Sequence, residues 1–400
     1  MSSSIQGKCD VLILSANYGA GHNQVSCALK SAIIEKCPDY KVEVYDFFNY
    51  LDPVLRQAIQ FSYTQFLKHF SQGYQWFYDA TKQLEPDSKW QRMLNHLGKQ
   101  RLFEILKQLS PKVIICTFPT PAGVVSRLKA CGAINIPLVT VVTDITIHNQ
   151  WVHPYVDDYI VGADIVARNL KRQGIPAERI HVTGIPLRKE FEKNIHDDTI
   201  WTRYGLNKDL FTLMVMGGGS GLLFGIEDVC EQLSNLDRPI QVIVITGTNK
   251  SLEKKLISIA EHSKIPIHIY GYVENIAEIM EISDLLLTKA GGVTVFEALA
   301  KKLPMIIYNP LPGHEAGNTR FLLRKKAAIV AKDSQEVVDT IRKCIDDPEI
   351  IKGMVKSIEP ISKPESTKNA VDIILKAIEV SRNNEISPID KFYKQGSKFL

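Results

Sequence analysis

The chain has 400 residues, about two to three times a usual single-domain length, so two domains with separate cores are expected. Hydrophobic residues at 45% and charged residues at 23%, with 24 glycines and 19 prolines, exclude a disordered or collagen-like chain. The formal net charge of +4, from 48 Lys and Arg against 44 Asp and Glu, is too small for a basic nucleic-acid face, so no nucleic-acid partner is expected.

The seven cysteines (Cys9, Cys27, Cys37, Cys116, Cys131, Cys230 and Cys344) are scattered and odd in number, and no C-x-x-C pair occurs. Reduced thiols in a reducing compartment are expected. Lys8 and Asp10 interrupt the N-terminal residues before the apolar core of a signal peptide can form, so export by that route is not expected. The longest uncharged run, 210–226, is broken by five glycines, so no membrane span is expected, although the chain can still lie against a bilayer.

In chain order, short runs rich in Val and Ile at 11–15, 42–45, 113–117, 138–143 and 159–161 alternate with helical patterns. Near-continuous apolar strands of this kind belong to parallel sheets covered by helices on both faces. A polar stretch at 188–208 follows Gly184, Ile185 and Pro186, and the pattern restarts at 212–216, 241–246, 267–270, 285–288 and 305–308. The expectation is an α/β protein of two units. The first covers residues 1–195, the second 196–375, and 376–400 form a C-terminal tail. Ligands of such folds bind at the loops after the strands, and a cleft between the domains is expected to hold the site.

Residues 61–90 are out of character, with nine of the chain's 33 aromatic residues. Residues 82–129 then hold nine Lys and Arg against three acids. Aromatic and basic residues together suit an interface with anionic lipid; core aromatics beside a solvated basic helix is the alternative.

Three glycine turns carry candidate chemistry. The first strand runs into Asn17, Tyr18, Gly19, Ala20, Gly21 and His22, a loop that exposes backbone amides ahead of a helix. Gln24 stands where a dinucleotide fingerprint needs its third glycine, which disfavours a nicotinamide cofactor. His22 is a candidate proton acceptor, with a structural hydrogen-bonding role as the alternative. The second turn, Gly217, Gly218, Gly219, Ser220 and Gly221, suits phosphate but lacks the Lys and Ser/Thr ending of an ATP-binding P-loop. In the third, Lys289 to Glu297 reads KAGGVTVFE: Gly291 and Gly292 offer amides to an anion, while Glu297 can accept hydrogen bonds from sugar hydroxyls. Residues 310–318, PLPGHEAGN, bring a further carboxylate and amide to the same edge. The chain has no D-x-D triplet, and His148 and His153 have no third ligand nearby in sequence, so neither a metal-held diphosphate nor a zinc site is expected.

The blocks ANYGAGH (16–22), TFPTP (117–121), TDITIHNQWVHPYVDDYIV (143–161), TGIPLRKEF (183–191), GYVENIAEIMEISDLLLTKAGGVTVFEALA (271–300) and PLPGHEAGN (310–318) resemble, in this order, glycosyltransferase family 28. Within it they are most similar to the processive diacylglycerol β-glucosyltransferases and to monogalactosyldiacylglycerol synthase. The resemblance implies the GT-B fold, two Rossmann-like domains facing across a cleft. It implies an inverting enzyme that moves glucose from UDP-glucose to diacylglycerol, once or repeatedly, without cofactor or metal. His22 would be the general base and Val273 the backbone contact to uracil. Gly291, Gly292 and Thr294 would lie near the diphosphate and Glu297 on the ribose. Glu315 and Asn318 would lie near the hexose and its diphosphate, with Gly217, Gly218, Gly219 and Ser220 flanking the phosphates. His314 stands where the family commonly reads Gln. Tyr18, Asp144, His148 and Trp151, with Phe66, Phe70, Trp76 and Phe77, would face the acceptor and an anionic membrane surface. The implied partners are therefore UDP-glucose, diacylglycerol, glucosyl-diacylglycerol and the cytoplasmic face of the cell membrane, held peripherally. The rival readings are transfer of N-acetylglucosamine to an undecaprenyl-linked peptidoglycan precursor, a UDP-sugar epimerase and a non-catalytic UDP-sugar sensor.

Overall fold

The computed structural model describes residues 7–17, 20–50, 98–146, 148–193, 195, 197–219, 221–311 and 313–383. β1 (Val11–Ser15) reads VLILS and is buried along its whole length. It lies inside a six-stranded parallel sheet with β2 (Val42–Asp46), β3 (Val113–Cys116), β4 (Leu138–Val141), β5 (Asp158–Val161) and β6 (Ile180–Val182), in the order β2-β1-β3-β4-β5-β6. Parallel neighbours need crossover connections, and the described crossovers contain α1 (Ala20–Lys36), α2 (Lys99–Leu109), α3 (Pro119–Ala130) and α4 (Asp164–Arg172). α2 shows why such a segment is helical: Leu102, Ile105, Leu106 and Leu109 recur at helical spacing, and all four are buried against Leu12, Leu14 and Ile114 of the sheet and Val124 and Leu128 of α3.

The second sheet is also six-stranded and parallel. It comprises β7 (Phe211–Met216), β8 (Ile240–Ile245), β9 (Ile267–Tyr270), β10 (Leu285–Thr288), β11 (Met305–Tyr308) and β12 (Ala328–Ala331), in the order β12-β11-β10-β7-β8-β9. Its helices are α5 (Thr199–Arg203), α6 (Ile226–Leu233), α7 (Lys250–Glu261), α8 (Ile276–Glu281), α9 (Gly292–Ala300), α10 (His314–Arg324), α11 (Ser334–Asp346) and α12 (Pro348–Ile358). Leu213, Val215, Val242, Leu285 and Ile306 of the sheet pack with Val229 and Leu233 of α6 and Val337 and Ile341 of α11. Asp333 caps α11 by accepting from the Glu336 amide, and Pro348 starts α12 behind the Asp347 cap.

Each half contains one strand more than the apolar runs announced, β6 and β12. Both are edge strands: β6 is three half-buried residues with a histidine at its centre, and β12 reads AIVA, half of it alanine, a residue with weak strand preference. Contacts group the described residues up to 188 with those from 365 onward, and the described residues of 189–364 form the other unit. The linear division expected from sequence ran the second domain to 375. In the structure α13 (Ser366–Asn383) belongs to the first unit instead, packing on α1. Thr367 Oγ accepts from the Leu187 amide at 2.8 Å, and Lys36 pairs with Asp372. Among the described residues no helix is long and apolar enough to cross a membrane.

Both strand orders reverse direction once, between β1 and β3 in the first sheet and between β7 and β10 in the second. Loops leaving the strand ends at such a reversal diverge to opposite faces and leave a crevice, the usual ligand position in open α/β sheets. The three glycine turns follow β1, β7 and β10 and therefore all lie at these two reversals.

Candidate active site

In the first unit the reversal brings together His22 near the start of α1, Thr117 beyond β3 and Thr143 beyond β4. The Thr117 amide donates to Leu14 O at 3.1 Å, which fixes the β3 exit against β1. One turn after His22, Ser26 Oγ donates to His22 O at 2.9 Å and lies 2.9 Å from Thr117 Oγ1; both hydroxyls are buried. This clamp holds the head of α1 where His22 Nδ1 lies 2.8 Å from Thr117 O and 3.0 Å from Thr143 Oγ1. The rings of Phe118 and Trp151 stand 4.9 and 6.4 Å from the imidazole, the first edge-to-face.

A carbonyl oxygen can only accept, so the 2.8 Å contact puts the ring hydrogen on Nδ1. In the neutral ring Nε2 then carries the lone pair. An imidazole of fixed tautomer, ringed by aromatic groups at a strand-end crevice, can take a proton from a hydroxyl.

The other expected residues of this unit divide into two groups. Trp151 is buried and packs beside His22, and His148 caps the turn Asn149–Trp151 by accepting from the Gln150 amide at 3.2 Å. Asp144, in the same stretch after β4, is half-buried. Tyr18, Phe66, Phe70, Trp76 and Phe77 lie outside the described residues, as do the rest of the aromatic stretch 61–90 and Ser220 of the second unit. His153 is fully buried, with Nε2 3.3 Å from Pro119 O, and burial pushes its pKa down to about 4.

In the second unit Thr288 Oγ1 donates to Met216 O at 2.6 Å and ties the ends of β10 and β7 together at the reversal. Gly217 is buried, while Gly218 and Gly219 are half-buried. Gly218, at φ 75°, has nothing within 4 Å of where a Cβ would stand, so the turn is open on that side. At Gly221, φ 64°, a Cβ would meet Thr246 O at 1.8 Å, so here glycine is required by packing. Behind β10, Gly291 precedes the first turn of α9, whose leading amides have no helical partner, and Thr294 is half-buried in that turn. Glu297 is buried further along the same helix. Val273 lies between β9 and α8, half-buried beside the exposed Tyr272.

Glu315 and Asn318, expected near the sugar, are anchored inside this unit. Lys289 Nζ donates to Glu315 Oε1 at 2.8 Å, and the Leu311 amide donates to Oε2 at 2.6 Å. Asn318 Nδ2 donates to Ala290 O at 2.9 Å. The two side chains of α10 therefore brace the 289–291 turn, while His314, half-buried, opens the helix. Residue type and spacing alone give no role to Thr117, Thr143, Ser26 or Lys289. The first two open the blocks TFPTP and TDITIH directly after parallel strands, which was the available signal.

Comparison with known proteins defines the class first. Solved structures with the GT-B fold match nearly the whole chain. MnaA of S. aureus with UDP has a TM-score of 0.61 at 12% identity, covering 91% of this chain and 95% of that one. MurG of Acinetobacter baumannii has 0.59 at 14% identity, covering 92% and 99%. The fold is thus GT-B, with two Rossmann-like domains. The family follows from sequence. The monogalactosyldiacylglycerol (MGDG) synthase family matches residues 22–187, and the glycosyltransferase family 28 C-terminal domain matches residues 212–369. A processive diacylglycerol beta-glucosyltransferase of Bacillus thuringiensis (strain Al Hakam) is 34% identical over 377 residues, 94% of this chain and 95% of the relative. The chain belongs to this family of diacylglycerol-type glycosyltransferases.

Proposed function

We propose that the chain is an inverting hexosyltransferase that moves glucose from UDP-glucose to diacylglycerol and on to glucosyl-diacylglycerol. In the step, the acceptor O–H gives its proton to His22 Nε2 as its oxygen attacks the anomeric carbon. The bond from that carbon to the β-phosphate oxygen breaks, its electron pair leaves with UDP, and the configuration inverts. The second unit holds the donor through the amides of Gly217, Gly218 and Gly219, the start of α9 at Gly291, Gly292 and Thr294, Glu297 on the ribose and the Val273 backbone on uracil. Amides and a helix N-terminus, with no metal required, stabilise the charge that develops on UDP.

The observation that carries the catalytic reading is the 2.8 Å contact from His22 Nδ1 to Thr117 O, which leaves proton acceptance to Nε2. The substrates are supported by the relative 34% identical over 94% of the chain. The acceptor is drawn from an anionic bilayer on the cytoplasmic side, a reading supported by the nine aromatics in 61–90 and the nine basic residues in 82–129. The test is product analysis with diacylglycerol vesicles and UDP-glucose, UDP-galactose or UDP-N-acetylglucosamine in parallel. β-Glucosyl lipid is expected from UDP-glucose. Lipid unchanged with all three donors would overturn the assignment, and turnover of UDP-N-acetylglucosamine alone on an undecaprenyl-linked acceptor would replace it.

A further inference from the structure

We propose that Thr143 is a positioning residue for the His22 imidazole. Its hydroxyl lies 3.0 Å from Nδ1 and accepts, together with Thr117 O at 2.8 Å, the hydrogen that Nδ1 carries. The proposal rests on the reading of His22 as the base and names the side chain that tunes it.

The geometry follows from the sheet. β3 and β4 are adjacent and parallel, with Cys116 in register with Thr140, so the chain leaves both strands at the same edge. Thr117 and Thr143 are buried there, on the same side of the ring as Nδ1. A single acceptor fixes one hydrogen bond but lets the ring rock about it; a second oxygen on the same N–H restricts that motion.

The second oxygen also acts on the charge. When the acceptor's proton arrives at Nε2 the ring becomes a cation, and hydrogen bonds from Nδ1 become charge-assisted and shorter. Both oxygens therefore favour the protonated ring, raising the basicity of His22. Thr117, Phe118, Thr143 and Trp151, which contact the ring, do not titrate in the working range. The ionisable groups on the elements around it are Cys27, Lys30, Glu35 and Lys36 on α1, Glu43, Tyr45 and Asp46 on β2, Cys116 on β3, Arg127 and Lys129 on α3, and Asp144, His148 and His153 after β4. Substitution at position 143 leaves all of them in place.

The test uses the full chain with diacylglycerol vesicles and UDP-glucose, comparing Thr143→Val, which keeps the volume, with Thr143→Ser, which keeps the oxygen. Thr143→Val is expected to lower kcat about 10-fold with the KM for UDP-glucose unchanged, by analogy with the loss of a hydrogen-bond partner that orients a metal-ligating histidine. The acid limb of its pH profile is expected to move to lower pH, because the cation has lost an acceptor. Thr143→Ser is expected to restore both rate and profile. A Thr143→Val enzyme with the wild-type pH profile, or a Thr143→Ser enzyme as impaired as the valine variant, overturns the proposal. His22→Ala run in parallel separates the two claims. Activity lost in His22→Ala but a wild-type profile in Thr143→Val removes only the positioning role, whereas undiminished His22→Ala removes the base itself.

Discussion

Lys289 at the exit of β10 and Glu315 in the first turn of α10 are joined at 2.8 Å, with side chains only 15% and 2% exposed. The second carboxylate oxygen accepts from the Leu311 amide, so one carboxylate fixes both the glycine turn after β10 and the loop after β11. Removing one partner of a buried ion pair leaves an uncompensated charge, at a cost of about 3–5 kcal/mol. Lys289→Met is expected to lower the thermal midpoint and weaken UDP binding together. The double variant Lys289→Met/Glu315→Leu should regain stability without regaining affinity. Thermal melts with a UDP titration check this, and unchanged UDP binding in Lys289→Met would detach the pair from the donor site.

Gly221 offers a second test of the donor side. Its φ of 64° and the 1.8 Å approach of a built Cβ to Thr246 O leave no room for a side chain. Gly221→Ala is expected to cost about 1–3 kcal/mol or more through strain and displacement of the turn. Gly218→Ala, with a comparable φ and open space, should cost less stability and act mainly on donor affinity. Equal melting points for the two variants would contradict this assignment.

His153 sets an acid sensitivity. Burial holds its pKa near 4 against an ordinary value of 6.5, so between those limits the unfolded chain binds a proton that the folded chain does not. Stability from this group is present above pH 6.5 and is lost as the pH falls toward 4, by on the order of 3 kcal/mol in total. His153→Gln is expected to flatten that part of the curve. Urea midpoints at pH 7 and pH 5 measure it, and an identical pH dependence in the variant would contradict the origin assigned.

The proposed stabilisation of the leaving group by amides, without a metal, has its own consequence. Exhaustive chelation is expected to leave the turnover of UDP-glucose unchanged, and activity that vanishes with chelator and returns with Mg²⁺ or Mn²⁺ would contradict it.

The eight internal strands are legible in sequence because burial on both faces demands continuous apolar runs, as in VLILS at β1 and IQVIVI at β8, and the edge strands β2 and β9 are legible through the alternating apolar residues of VEVYD and IHIY. β6 escapes as a three-residue strand with a histidine at its centre, and β12 because half of its four residues are alanine, which has weak strand preference. Helix α13 escapes linear division because its place on α1 depends on contacts such as Lys36 with Asp372, 336 residues apart. At the site, glycines and His22 are visible as types, whereas Thr117 acts through a carbonyl that every residue possesses, and Thr143 through a hydroxyl whose partner lies 121 positions away. Glu315 shows a further limit: the family resemblance implies a place near the hexose, and sequence gives no sign that its oxygens also meet Lys289 and the Leu311 amide.

The most direct test of the central claim is the rate of glucosyl transfer to diacylglycerol by His22→Ala, measured beside its affinity for UDP-glucose. A fall of about 10²–10⁴ in kcat with donor affinity unchanged is expected for loss of a general base. Wild-type kcat in His22→Ala, or a loss confined to donor binding, would contradict the account.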